Sequence, residues 1–176
     1  MADDIKLVDL AILRRLVETL DLKDPARREY LEARWLKYVE WWDSRAWNAK
    51  WRYFTLRSAV VIGGALIPAL VGLRELNVWA RHAWIFSLAS IVASLVVAIC
   101  AGLESLFGFG DIWREKRKAA ELIKSEGFRF FQLIGDYSQP DKTHADLYPA
   151  FAENVERIIQ GEIGDYVLAV APKPPK

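Results

Sequence analysis

The chain has 176 residues, enough for one domain, and is 53% hydrophobic and 27% charged. A formal net charge of +1 leaves no global basic excess for nucleic acid, and Cys100 as the only cysteine excludes both an internal disulfide and a cysteine-built zinc site. Charge is absent from long stretches: between Ser58 and Leu103 the only charged side chains are Arg74, Glu75 and Arg81. Apolar residues gathered in blocks, rather than spread periodically, exclude an ordinary soluble pattern.

In chain order, the opening Met1-Ala-Asp-Asp-Ile-Lys6 is acidic, and Arg14, Arg15 and Glu18 interrupt the apolar residues beyond it. This is no secretory signal, so nothing is expected to be cleaved. Asp3 to Leu22 reads as an amphipathic helix, with Ile5, Val8, Ile12, Leu16 and Leu20 near helical spacing. Asp24-Pro25 predicts a fresh helix start, the aspartate as cap and the proline at the first helical position. No breaker occurs from there to Arg57. This helix carries Trp35, Trp41, Trp42, Trp47 and Trp51, five of the chain's eight tryptophans, read as packing against other helices and a bilayer surface, with a ligand-stacking cage as the other option.

The first apolar block, Ser58 to Leu73, holds 16 residues without a charge. A bilayer core needs roughly 20. Tyr53 to Leu56 extend the block backwards across Arg57, whose guanidinium can snorkel to the headgroups. The second block, Ala83 to Leu103, runs for 21 uncharged residues. Both blocks are apolar all round, which points to transmembrane helices over a buried soluble hairpin. The eight-residue link from Arg74 to Arg81 makes them antiparallel neighbours, with Trp79 and Trp84 at an interfacial belt. Arg45, Lys50, Arg52 and Arg57 precede the first span and Arg114, Lys116, Arg117 and Lys118 come after the second, eight charges against two in the link, so both termini are expected in the cytoplasm.

After Gly108-Phe-Gly-Asp111, Trp113 to Ile134 reads as a helix with Gly127 a weak point. Gly135 to Pro140 is a loop. Ala145 to Ile163 is a last amphipathic helix striped by Phe151, Val155, Ile158 and Ile159, and Pro172-Lys-Pro-Pro-Lys176 is expected to be disordered.

On a wheel, Ser87, Ser90, Ser94, Ala98, Ala101 and Ser105 share one face of the second span, opposite Ile85, Leu88, Val92, Val96, Ile99 and Leu103. The small face reads either as packing surface, against the first span or another subunit, or as the lining of a hydrated pathway. Gly63, Gly64 and Pro68 weaken the middle of the first span, as a fixed kink or as a gating hinge. Glu104 sits at the boundary of the second block, where a carboxylate is costly unless paired or wetted. It either pairs with Arg57 or faces a pore mouth, where a carboxylate ring favours cations. No catalytic motif, metal set or cofactor loop is present: Gly108-Phe-Gly110 lacks the strand of a dinucleotide site, and His82 and His144 fall on opposite sides of the membrane.

Arg34-Trp-Leu-Lys-Tyr-Val-Glu-Trp-Trp-Asp43, Lys50-Trp-Arg-Tyr53, Ile62-Gly-Gly-Ala-Leu-Ile-Pro68, Gly102-Leu-Glu104, Phe107-Gly-Phe-Gly-Asp-Ile-Trp113 with Arg117, and Phe151-Ala-Glu-Asn-Val-Glu156 together resemble the SLATT-type, two-transmembrane bacterial proteins. The resemblance covers roughly residues 25 to 165. It implies a membrane effector that forms pores in bacterial conflict systems, its trigger supplied by a cytoplasmic protein or a nucleotide signal. It implies no selectivity residue.

The expected fold is all-α: an amphipathic helix over 1–24, a two-transmembrane domain over 25–165 with spans about 54–73 and 83–103, and a disordered tail over 166–176. The expected function is a homo-oligomeric channel or pore in a bacterial inner membrane, cation-preferring and gated through its cytoplasmic helices, with no cofactor and no enzymatic activity. Ser87, Ser90, Ser94 and Glu104 are the pore-lining candidates, and Gly63, Gly64 and Pro68 the hinge candidates. The competing expectation is a non-conducting membrane anchor or scaffold that binds a cytoplasmic partner.

Overall fold

The structure, a computed structural model, describes residues 2–74 and 83–170, with side chains over 10–74 and 83–162. The interhelical link, with Trp79, Arg81 and His82, and the last six residues of the tail lie outside the described residues. The described chain is helical, in the order α1 (Ala2–Thr19), α2 (Pro25–Tyr30), a π-helical turn (Leu31–Leu36), α3 (Lys37–Arg74), α4 (Ala83–Phe107), α5 (Phe109–Phe131), a short 3-10 turn (Gly135–Tyr137) and α6 (His144–Val170). It divides into two compact units, Met1–Ser44 with Lys116–Lys176, and Arg45–Glu115, the boundaries falling inside α3 and α5.

The helix starts follow from local chemistry. Asp24 Oδ1 accepts from Ala26 N at 2.9 Å, and Pro25 occupies the first helical position, where its missing N–H costs nothing. At the start of α6, the Thr143 hydroxyl and backbone N–H both donate to Asp146 Oδ2, at 2.7 and 2.9 Å. That pair closes the first turn and holds the Asp146 carboxyl below its usual value. α6 runs on to Val170, past the expected end at Ile163 and into residues assigned to the tail.

The first unit has a continuous apolar core. Leu13, Val17, Leu20 and Leu22 meet Leu31, Trp35, Leu36, Val39 and Trp42, with Ile123, Phe130, Phe131, Phe151, Val155 and Ile159 closing over them. In α1 the buried stripe is displaced from the expected one: Leu13 and Val17 are buried while Ile12 is exposed. Trp35 is the pivot. Its ring lies 5.4 Å edge-on from Phe131, and its Nε1 donates to the Ile123 carbonyl at 3.1 Å. A Cβ on Gly127 would overlap the Trp35 ring, so the expected weak point is the place where α5 approaches the indole most closely, and α5 passes through it unbroken. The wide turn at Leu31–Leu36 allows Leu31, Trp35 and Leu36 all to be buried.

The buried polar residues Asp43, Lys124 and Glu126 of this core are all partnered. Asp43, 5% exposed, accepts from Lys124 Nζ at 2.7 Å and from Arg117 Nη1 at 3.1 Å. Glu126 Oε1 accepts from the Tyr137 hydroxyl and from Asn154 Nδ2. Burial and the bond to Glu126 push the Tyr137 phenol up, so it stays a donor.

Glu156 takes a bidentate grip from Arg34, 2.8 Å to each oxygen, and a further bond from the Tyr30 hydroxyl at 2.8 Å. The Arg34 bonds hold its carboxyl below the usual value, and partial desolvation only offsets this. A depressed folded value means the pair stabilises the fold above the unfolded carboxyl value of about 4.3, and that stabilisation is lost as pH falls through the lower folded value. We expect Glu156→Gln to cost about 1 kcal/mol at neutral pH, given a pair open to solvent, and to flatten the acid limb of stability against pH. Thermal unfolding from pH 7 down to pH 3 checks this; an acid limb unchanged by the substitution would refute the assignment.

Candidate functional site

The second unit is built on the apolar parts of α3 and α4. Both helices are long and apolar enough to cross a membrane, and the most apolar stretch of each has none of its residues buried in the fold. On α3 a half-buried row runs through Tyr53, Leu56, Val60, Gly63, Ile67 and Leu70, with Ala59 beside it; on α4 one runs through Phe86, Ser90, Ala93, Val97, Cys100 and Glu104, with Ala83, Ser87 and Ala89 beside it. Spacings alternating between three and four residues are those of two helices paired along a seam. A Cβ on Gly63 would overlap Val97 Cγ2, so the glycine lets the two backbones close at mid-helix. Around this seam, Val61 at 65%, Ile91 at 65% and Leu106 at 77% face outward. So many exposed branched side chains make a surface suited to an apolar partner, a membrane or another protein.

The structure separates the proposed pore-lining residues. Ser90 and Glu104 belong to the half-buried row, Ser87 is half-buried and Ser94 is exposed, as are Ala98, Ala101 and Ser105. The three serine candidates each donate to their own helix: Ser87 to Ala83 O at 3.2 Å, Ser90 to Ser87 O at 2.8 Å and Ser94 to Ser90 O at 2.8 Å. Their lone pairs remain as acceptors. Among the hinge candidates, Gly63 is used in close packing, Gly64 has open space, and α3 continues through Pro68 without a break. The Glu104 carboxylate makes no hydrogen bond or ion pair among the described residues, so of its two expected roles the pairing with Arg57 is not formed. Arg57 instead stands over the Tyr53 ring, 5.7 Å from its centroid.

Arg57 is one of three cations so placed among the described residues of the second unit. Lys50 Nζ lies 5.3 Å from the Trp47 ring, and the Arg52 guanidinium 5.6 Å from the Phe109 ring. Around them Tyr53 stacks on Trp113 at 6.2 Å and Phe107 on Phe109 at 5.5 Å. This aromatic and basic band lies where α3 becomes apolar and α4 ceases to be, the composition of a membrane–water interface. The turn that brings Phe109 back is made by Gly108, at φ +56°, whose N–H donates to Glu104 O at 2.9 Å. From the sequence, Arg57 reads as a snorkelling charge or a partner for Glu104, and Lys50 and Arg52 as orientation charges; the ring contacts of all three are not among the expectations. The available signal was the interleaving Lys50-Trp-Arg-Tyr-Phe54.

Residues 37–145, more than half of the chain, match the family model described as protein of unknown function, DUF4231, and the chain belongs to that family. No curated protein and no solved structure matches it.

Proposed function

We propose that this member of the DUF4231 family is a bacterial inner-membrane protein whose α3–α4 hairpin assembles with other copies of itself into an ion-conducting pore. The observation that carries the reading is the small flank of α4. The in-chain seam engages Phe86, Ala93, Val97 and Cys100, which leaves Ser94, Ala98, Ala101 and Ser105 exposed. In lipid a small hydroxyl-bearing flank gains little from acyl chains and much from another helix or from water. Two helices per chain cannot enclose a conduit, so the reading requires several subunits. The excess of lysine and arginine on the chain outside the link supports cytoplasmic termini. The resemblance to SLATT-type proteins supports a pore opened by a cytoplasmic protein or a nucleotide signal. Glu104, half-buried and without a partner among the described residues, is the cation-favouring group at the end of the hairpin.

The second reading, a non-conducting membrane anchor, draws on a different observation: the hydroxyls of Ser87, Ser90 and Ser94 already donate to their own helix. Ion flux from liposomes holding the purified oligomer separates the two. Wild type is expected to conduct, Ser94→Trp to lower the flux by about tenfold by filling the flank, and Glu104→Gln to reduce cation preference with assembly intact. Intact oligomers that carry no current, with or without cytoplasmic extract, would establish the anchor and overturn the pore.

A further inference from the structure

We infer that the second unit carries a binding site for one anionic phospholipid, its phosphate on Arg52 and an acyl chain in the groove below. The groove has a volume of about 430 Å³ and is lined by Trp51, Arg52, Thr55, Leu56, Leu103, Phe107 and Phe109. All but Arg52 and Thr55 are apolar. Arg52 stands at the groove's wall, its guanidinium over the Phe109 ring.

Three features together specify the occupant. The first is charge. Arg52 has no carboxylate partner among the described residues, nor do Lys50 and Arg57 on the same helix. This contrasts with the first unit, where Lys124, Arg34 and Arg129 are all paired with acids. The nearby Asp111 carboxylate is engaged by Arg114. Stacking on Phe109 neutralises nothing; it fixes the guanidinium plane and leaves its N–H edge for an acceptor. The second is the groove itself, whose walls are almost wholly apolar, the side-chain polar groups of its lining residues being the Thr55 hydroxyl, the Trp51 indole N–H and the Arg52 guanidinium. A soluble anion would leave those walls unused. The third is position. Arg52 lies six residues before Ser58, where the uncharged stretch of α3 begins, and Leu103 closes the uncharged stretch of α4. If the hairpin spans the bilayer, as the pore reading requires, this is the depth at which a phosphate meets its acyl chains. A phospholipid has both halves: a phosphate to take a bidentate bond from arginine, and a chain to cover Leu56, Leu103 and Phe107.

The inference rests on the membrane reading, and the test keeps the two apart. Full-length protein is extracted from membranes, partly delipidated and reconstituted with equal phosphatidylglycerol and phosphatidylcholine, and retained lipid is counted by native mass spectrometry. Wild type is expected to retain phosphatidylglycerol in preference. Arg52→Gln is expected to lower that retention about fivefold, and Arg52→Lys to fall between the two, since it keeps the charge but loses the bidentate fork and the ring contact. Thr55→Trp, at an exposed position on the groove wall, is expected to cause a similar loss with every charge in place. Excess inorganic phosphate is expected to leave the lipid bound. Equal retention of the two lipids by wild type, or retention unchanged in Arg52→Gln, would overturn the site. Loss in Arg52→Gln alone, with Thr55→Trp unaffected, would reduce it to diffuse surface attraction and overturn the groove. Displacement by inorganic phosphate would assign Arg52 to a free anion, again overturning it. Circular dichroism and oligomer elution identical to wild type establish that each variant is folded. Protein that stays with membranes through an alkaline wash yet shows no lipid preference removes this inference alone; protein released by the wash removes the membrane reading as well.

Discussion

Asp43→Ala is expected to be among the most damaging substitutions in the chain, costing about 3–5 kcal/mol. Asp43 is 5% exposed and holds the Lys124 ammonium, itself 7% exposed, at 2.7 Å. Removing the carboxylate leaves that ammonium among apolar neighbours with Glu121 at 3.9 Å as its nearest remaining acid. Arg117 loses the same partner but is half open to water and keeps Glu121 at 2.8 Å, so it contributes little to the loss. The penalty is therefore one of stranding a charge, not of losing an attraction. The double substitution Asp43→Leu with Lys124→Met should recover most of the stability, because no buried charge is then left unpaired, Arg117 keeping Glu121 and its exposure to water. Denaturant unfolding in mild detergent, followed through the tryptophans, measures both. A double variant no more stable than Asp43→Ala would mean that the cost lay in packing.

Trp35→Ala is expected to cost about 3–5 kcal/mol, the range for deleting a large buried aromatic. The indole is fully buried, lies edge-on to Phe131 and Phe151, and donates to Ile123 O. The site cannot close over the vacancy easily, because Gly127 offers no side chain to move in. Trp35→Phe keeps most of the ring and loses only the hydrogen bond and part of the contact, about 1–2 kcal/mol. Gly127→Ala acts from the other side, forcing the indole to shift, and should cost about 1–3 kcal/mol. Thermal unfolding of the three variants tests the ordering Trp35→Ala, then Gly127→Ala and Trp35→Phe. A Gly127→Ala protein as stable as wild type would show that the indole has room to move.

The parts of the fold readable in the sequence are those with contrast. The two apolar blocks stand out because Ser58 to Leu103 holds so few charges, and α3 and α4 are long and apolar enough to cross a membrane. The Asp24-Pro25 start is legible because capping is a local matter of one oxygen and one missing N–H. Phe151, Val155 and Ile159 were legible as a stripe because polar residues flank them on α6. The seam was not. In a helix apolar on every side, polarity marks no face and residue size is the remaining signal; size singles out the serines, yet the half-buried side of α4 holds Phe86, Ala93, Val97 and Cys100 with Ser87 and Ser90, and leaves Ser94 exposed. The decisive residue was Gly63, read as a weakness in α3 when its bare Cα is what admits Val97. The pairing of Arg57 with Glu104 failed for a related reason. Proximity to one membrane surface says nothing of azimuth, and Tyr53, one turn back on the same helix, is the nearer partner.

The wide turn at Leu31–Leu36 carries a consequence for how this chain can vary. An α-helix advances by about 100° per residue, so an insertion in a regular helix swings everything beyond it off its face. A π-helical turn is that insertion already absorbed, the extra residue bulging where the backbone loops wide. The turn therefore works as a phase adjuster. Upstream of it Pro25–Tyr30 answers to its own cap at Asp24, and downstream Val39 and Trp42 keep their own register. Loss of one residue here, at exposed Ala33 for example, would tighten the loop into regular helix and leave both flanks close to their present azimuths. Length change in this helix is thereby confined to one turn, and the aromatic side chains on either side of it need not be reselected together.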